Sequence, residues 1–97
     1  MEIEMTNQID ISEANAAIDH MRNIARDPAK RAAMQAAWDT VCNRLEPHYL
    51  AMRPKPRSFE VRHMNETARA QFACAVVAKH SFAECANLAV ARILEEY

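Results

Sequence analysis

The residues able to do chemistry in this chain are few and scattered. The four histidines, His20, His48, His63 and His80, lie far apart, and none belongs to an H-x-x-x-H or H-E-x-x-H pattern. The one metal-like spacing is Glu60-x-x-His63-x-x-Glu66, which on a helix would line one face. A di-iron bundle needs Glu-x-x-His from two helices plus two further glutamates, and only one copy is present. Asn65 is expected to break a helix between these residues, so solvated loop charges are the expectation and a metal site is not. Cys42, Cys74 and Cys85 are odd in number and form no C-x-x-C pair, so neither a disulfide framework nor a zinc knuckle is implied. All three are expected to be small buried hydrophobes. Cys42 with His48 can be drawn as a nucleophile–base dyad, but nothing in the sequence orients the pair. Ser81 beside His80 is committed to capping a helix, as part of Ser81-Phe82-Ala83-Glu84.

The strongest concentration of charge is MRPKPRSFEVRH, residues 52–63. Between 53 and 69 the chain holds Arg53, Lys55, Arg57, Arg62 and Arg69 against Glu60 and Glu66, with the aromatic residues Tyr49 and Phe59 nearby. The front is opposite in sign. Glu2, Glu4, Asp10 and Glu13, with Asp19 and Asp27, face only Arg22 and Arg26 over residues 1–27. The whole sums to a net charge of −1. An acidic front and a basic waist on a near-neutral chain steer partners without making the molecule a general binder of nucleic acid.

The elements that must position these groups are helical. There is no glycine in 97 residues, where average usage is about 7%. Glycine-rich phosphate loops, dinucleotide fingerprints and EF-hand loops are thereby excluded, and the primed turns of tight hairpins are disfavoured. Ser12 is expected to cap a first helix whose stripe is Ala14, Ala17, Ile18, Met21 and Ala25, with Asp19, Arg22, Asn23 and Arg26 turned to water. Asp27-Pro28 ends it and begins a second, with the stripe Met34, Ala37, Trp38, Val41 and Leu45. Trp38 is expected to be a core anchor, with an exposed hot spot at an interface as the minority reading. Pro47 is expected to interrupt or kink that helix, or equally to start a short extra turn from Pro47 to Met52. The prolines that follow exclude regular helix, and the alternation in Phe59–Met64 reads as extended loop or helix lead-in. Asn65 caps a third helix, apolar almost all round over Gln71–Ala78 and therefore central. A fourth starts at Phe82 with the inner stripe Phe82, Cys85, Ala86, Ala89 and Ile93, although one helix kinked near His80 fits nearly as well. Leu88 and Leu94 fall outside that stripe and, with Met52 and Tyr97, are candidates for a homodimer seam.

The expectation is an all-α, small compact bundle of three to five helices in one domain of residues 1–97. The helices are placed at about 13–26, 28–46, 66–80 and 82–96, with a Pro/Arg-rich central loop at about 53–64. No apolar run approaches the ~20 residues of a membrane helix, and the acidic, polar start does not read as a signal peptide, so a cytoplasmic location without membrane contact is expected. With no catalytic constellation and no cofactor motif, the expected function is non-enzymatic. It is that of a protein-binding module, a small inhibitor or regulator that occupies a surface of a larger partner. Its narrowest form is a phage or mobile-element anti-defence protein of the anti-CRISPR kind. The expected partner-binding residues are Arg53, Lys55, Arg57, Arg62, Arg69 and Tyr49, with Glu2, Glu4, Asp10 and Glu13 as an alternative acidic surface. The competing expectation is a nucleic-acid or nucleotide-binding regulator that uses the basic 53–69 segment.

Overall fold

A computed structural model describes residues 11–97. Four helices follow in chain order: α1, Ile11–Ile24; α2, Pro28–Ala51; α3, Ser58–Val77; and α4, Phe82–Glu96. There is no strand among the described residues. The all-α bundle expected from composition is the observed architecture. Its packing order differs from its chain order. α1 lies on α3, α3 on α4, and α4 on α2. The result is a flattened body of 41 × 35 × 21 Å.

α2 begins as its sequence dictates. The Asp27 carboxylate accepts the Ala29 N–H at 3.0 Å, and Pro28 occupies the first turn, where a missing N–H costs nothing. The helix does not stop at Pro47. It continues through the proline to Ala51, because Val41, Leu45 and Tyr49 keep one buried stripe across the break. Packing outweighs the single lost hydrogen bond.

The largest departure is at α3. Its first turn starts at Ser58, well before the Asn65 cap expected from the sequence, and residues 59–64 are helix. The Pro/Arg-rich loop is correspondingly short, running from Met52 to Arg57. Prolines 54 and 56 exclude helix only up to that point, and Glu60 then supplies the start signal by accepting the Arg57 N–H at 2.8 Å. Val61, Met64, Ala68 and Phe72 form an inward stripe with helical spacing that overrides the two-residue alternation. Ile11 and Ser12 are both helical, so Ser12 lies within α1 and is not its cap.

Residues 66–96 form two helices. α3 ends in a Schellman motif. His80 N–H donates to Ala75 O at 3.1 Å and Lys79 N–H to Val76 O at 3.0 Å. The left-handed position within the motif is Lys79, at φ 73°. Glycine is the usual occupant, and a chain without glycine carries the Cβ strain there. α4 then opens with the expected capping box. Ser81 Oγ accepts the Glu84 N–H at 3.2 Å, and the Glu84 carboxylate accepts the Ser81 N–H at 3.3 Å. Those bonds from Ser81, with His80 alongside, hold the Glu84 carboxyl below its usual range.

The core is built where α2, α3 and α4 meet. Leu45, Val41, Phe72, Val90 and Ile93 are enclosed there together with small residues, among them Ala68, Ala75, Ala86 and Ala89. The small residues let the helices approach closely. Polar ties at the edges join α2, α3 and α4 to one another. Arg44 donates to Asn87 Oδ1 at 2.7 Å, Arg92 to Gln71 Oε1 at 3.1 Å, and the Tyr49 hydroxyl to Asn65 Oδ1 at 3.0 Å. Arg92 also pairs with Glu96 along α4. No described helix is long and apolar enough to cross a membrane.

Candidate functional site: an arginine-bordered apolar groove

Because α1 packs on α3 while α2 packs on α4, α1 and α2 diverge. The space between them is a groove of about 840 Å³ whose third side is α3. Each helix gives it one face at helical spacing. α1 supplies Ile18, Met21 and Arg22, and Ala25 in the turn just after it adds to the same face. α2 supplies Arg31, Met34, Gln35, Trp38 and Cys42. α3 supplies a face from Ser58 to Phe72 that includes Val61, Arg62, Glu66 and Arg69. The interior is apolar. Trp38 is half-buried and stands edge-on to Phe72, with ring centroids 5.8 Å apart. It is therefore neither wholly core nor wholly exposed. That ring contact anchors it on α3, and it also lines the groove.

The border is basic. Arg22, Arg31, Arg62 and Arg69 all line the groove and all are exposed, whereas Glu66 is the one carboxylate in its lining among the described residues. Arg22 is held by Asp19 at 3.2 Å. Arg31, Arg62 and Arg69 make no ion pair or side-chain hydrogen bond among the described residues. Arg62 and Arg69 are seven apart, two turns of one helix face, so the early start of α3 is what puts them on a common wall.

The six residues expected to bind a partner thus separate. Arg62 and Arg69 enter the groove. Arg53 folds back on the end of α2 and donates to Leu50 O at 2.9 Å and Met52 O at 2.7 Å, satisfying carbonyls the helix leaves open. Arg57 lies 5.9 Å from the centre of the Phe59 ring, a cation–π contact at the start of α3. Lys55 is exposed on the loop. Tyr49 presents no face to a partner, because it is 9% exposed and its hydroxyl is bonded to Asn65. Of the acidic surface, Glu2, Glu4 and Asp10 lie outside the described residues, and Glu13 is exposed in the first turn of α1. Arg22, Arg31 and Trp38 are members of the site that sequence reasoning did not assign to it. The signal was present in the 31, 34/35, 38, 42 spacing on α2, but the opposite wall came from helices distant in sequence.

Burial of Tyr49 pushes its hydroxyl up to about 12, with Cys42 and Tyr97 adding to the effect. The folded value lies above the unfolded one of about 10. The contribution of this group to stability is thus complete below about pH 10 and lost as pH rises toward 12. Absorbance titration of tyrosinate should show Tyr49 ionising late, near pH 12. Tyr49→Phe should remove the late step alone. A Tyr49 step at the ordinary value of about 10 would mean that the Tyr49–Asn65 contact does not persist in solution.

The other groups capable of chemistry do not assemble. Cys42 is exposed at the groove, Cys74 is half-buried and Cys85 is buried, so only one of the three is the enclosed thiol expected. Partial burial pushes Cys42 up, with Asp39 adding, and pushes Cys74 up, with Glu13 adding. Burial does the same to Cys85, which donates to His80 O at 3.7 Å. Raised thiols are poor nucleophiles at neutral pH. Cys42 and His48 are six residues apart on one helix, about 9 Å along its axis and on different faces. Glu60, His63 and Glu66 do lie on a continuous helix. Even so, no three His, Cys, Asp or Glu side chains converge on a metal position among the described residues. Nor do Leu88 and Leu94 make a single seam, since six residues place them about 120° apart around α4.

No family model, curated protein or solved structure matches this chain.

Proposed function

We propose that the protein is a non-enzymatic binding module that engages a protein partner through the groove between α1, α2 and α3. The observation that carries this reading is the pairing of an apolar interior containing Trp38 with four bordering arginines. Tryptophan and arginine are the residue types that dominate binding energy at protein interfaces. Arg31, Arg62 and Arg69 are available to pair with carboxylates by two parallel hydrogen bonds. In this reading the protein is a small inhibitor or regulator that occupies a partner's surface. The narrowest form of the reading, an anti-defence protein of a phage or mobile element acting on a CRISPR complex, rests on size and build. The competing reading, a nucleic-acid or nucleotide-binding regulator, would use the same arginines for phosphates and Trp38 for stacking, but a net charge of −1 disfavours it, since nucleic-acid-binding domains are typically strongly basic.

The test is a tagged pull-down from nuclease-treated host lysate. The wild-type protein should retain a stoichiometric protein partner, and the double reversal Arg62→Glu with Arg69→Glu should lose it. Both positions are exposed, so circular dichroism and the melting temperature should stay near wild type. Lys55→Glu reports on the loop and should leave capture intact. Loss with Lys55→Glu and retention with the double reversal would move the site to the loop. Enrichment of nucleic acid alone would overturn the protein-binding reading.

A further inference from the structure

Resting on that reading, we propose that the occupant of the groove is an acidic amphipathic helix of the partner, about three to four turns long. The apolar face of this helix enters between α1 and α2 over Met21 and Trp38, and its flanking carboxylates pair with Arg22, Arg31, Arg62 and Arg69.

Three observations select this occupant. The first is dimension. The α3 wall runs from Ser58 to Phe72, about 21 Å at 1.5 Å per residue, and the α2 wall from Arg31 to Cys42 runs about 16 Å. A partner helix of about 14 residues matches the longer wall. The second is backbone chemistry. Every described wall is a helix and the described residues contain no strand, so an added strand has no edge to pair with, whereas a helix satisfies its own backbone and needs only side-chain packing. Seated between α1 and α2, it fills the space that their separate attachments to α3 and α4 leave open. The third is charge. Four arginines against the single Glu66 in the lining exclude a basic helix by repulsion and favour an acidic one. The unpaired state of Arg31, Arg62 and Arg69 among the described residues means that few internal ion pairs must break on docking.

Trp38 is the only tryptophan in the chain and lies in the groove, so its emission reports occupancy directly. The probe is a synthetic, end-capped peptide of about 14 residues, with leucines spaced three and four apart and glutamate elsewhere. One control replaces glutamate by lysine. The other keeps the composition but permutes the order so that the leucines no longer share a face. The acidic amphipathic peptide should shift Trp38 emission saturably, and both controls should bind at least about tenfold more weakly. The double reversal at Arg62 and Arg69 should weaken the acidic peptide at least about tenfold and strengthen the lysine peptide, which mere loss of folding could not do. Equal binding of the permuted peptide, or of the lysine peptide, would overturn the proposal. So would a saturable shift with a short single-stranded oligonucleotide and none with the peptide, or a concentration-dependent shift of the protein alone, which would identify a second copy as the occupant. The two levels separate cleanly. If no peptide binds but the natural partner is still lost on double reversal, the groove remains the partner site and the acidic helix is wrong. If the partner survives the double reversal, the groove itself is wrong.

Discussion

Ile93→Ala is expected to lower the unfolding free energy by about 2–5 kcal/mol. A domain of this size has only about 5–15 kcal/mol to lose, so the melting temperature should fall by roughly 10–30 °C. The magnitude follows from position. Ile93 is fully enclosed on α4, the helix that contacts both α2 and α3. The cluster around it contains Ala68, Ala75, Ala86 and Ala89. Alanine has no rotamers with which to fill a cavity, so the site cannot collapse well, and the cost should fall toward the upper part of the range. Urea unfolding followed by helical circular dichroism measures it. Leu88→Ala on the same helix is the control. Leu88 is 37% exposed, and its replacement should cost well under half as much. Equal effects at the two positions would mean that the α4 face assigned to the core is not the one buried in solution.

That contrast also shows what kind of information was legible in the sequence. The stripe Cys85, Ala86, Ala89 and Ile93 could be read from spacing, and so could the capping box that starts α4, because both signals lie within a few residues of chain. The stripes of α1 and α2 were legible for the same reason. The start of α3 was not. Asn65 is a good cap and Phe59–Met64 alternates, so two local signals agreed on the wrong boundary. The winning signal was Val61, Met64, Ala68 and Phe72, which has meaning only if Asn65 lies inside the helix. Its side chain is in fact used there, as acceptor for the hydroxyl of Tyr49. A tertiary contact thus outweighed a local preference.

The groove was less legible still. Its walls come from residues 18–25, 31–42 and 58–72, and nothing local announces that α1 skips α2 to pack on α3. The basic waist was visible as composition, yet composition could not say that Arg53 and Arg57 serve the ends of helices while Arg62 and Arg69 share a face with Val61 and Phe72. Arg22 was expected to meet water, and it does. The same exposure places it at the border of the groove, so a solvated face and a binding border are here one surface.

Pro47→Ala is expected to raise stability, by about 2 kcal/mol. Proline inside a helix removes one backbone hydrogen bond and crowds the carbonyl four residues back, together costing about 3 kcal/mol. Alanine restores the Pro47-to-Asn43 link that α2 lacks, and it fits an exposed position. The gain is reduced by about 0.4–1 kcal/mol, because removing proline frees the unfolded chain. Urea unfolding again gives the value, and the Tyr49 titration gives the reason the proline is tolerated. The turn after Pro47 carries Tyr49 to Asn65 on α3 and ends where Arg53 caps it. If stability rises and the late tyrosine step stays near pH 12, the path of α2 is set by the Val41, Leu45 and Tyr49 packing and the proline is only a cost. If stability falls and the late step moves down toward 10, the proline directs the last turn against α3. In that case the register of Asn65, and with it the face carrying Arg62 and Arg69, depends on that break in α2.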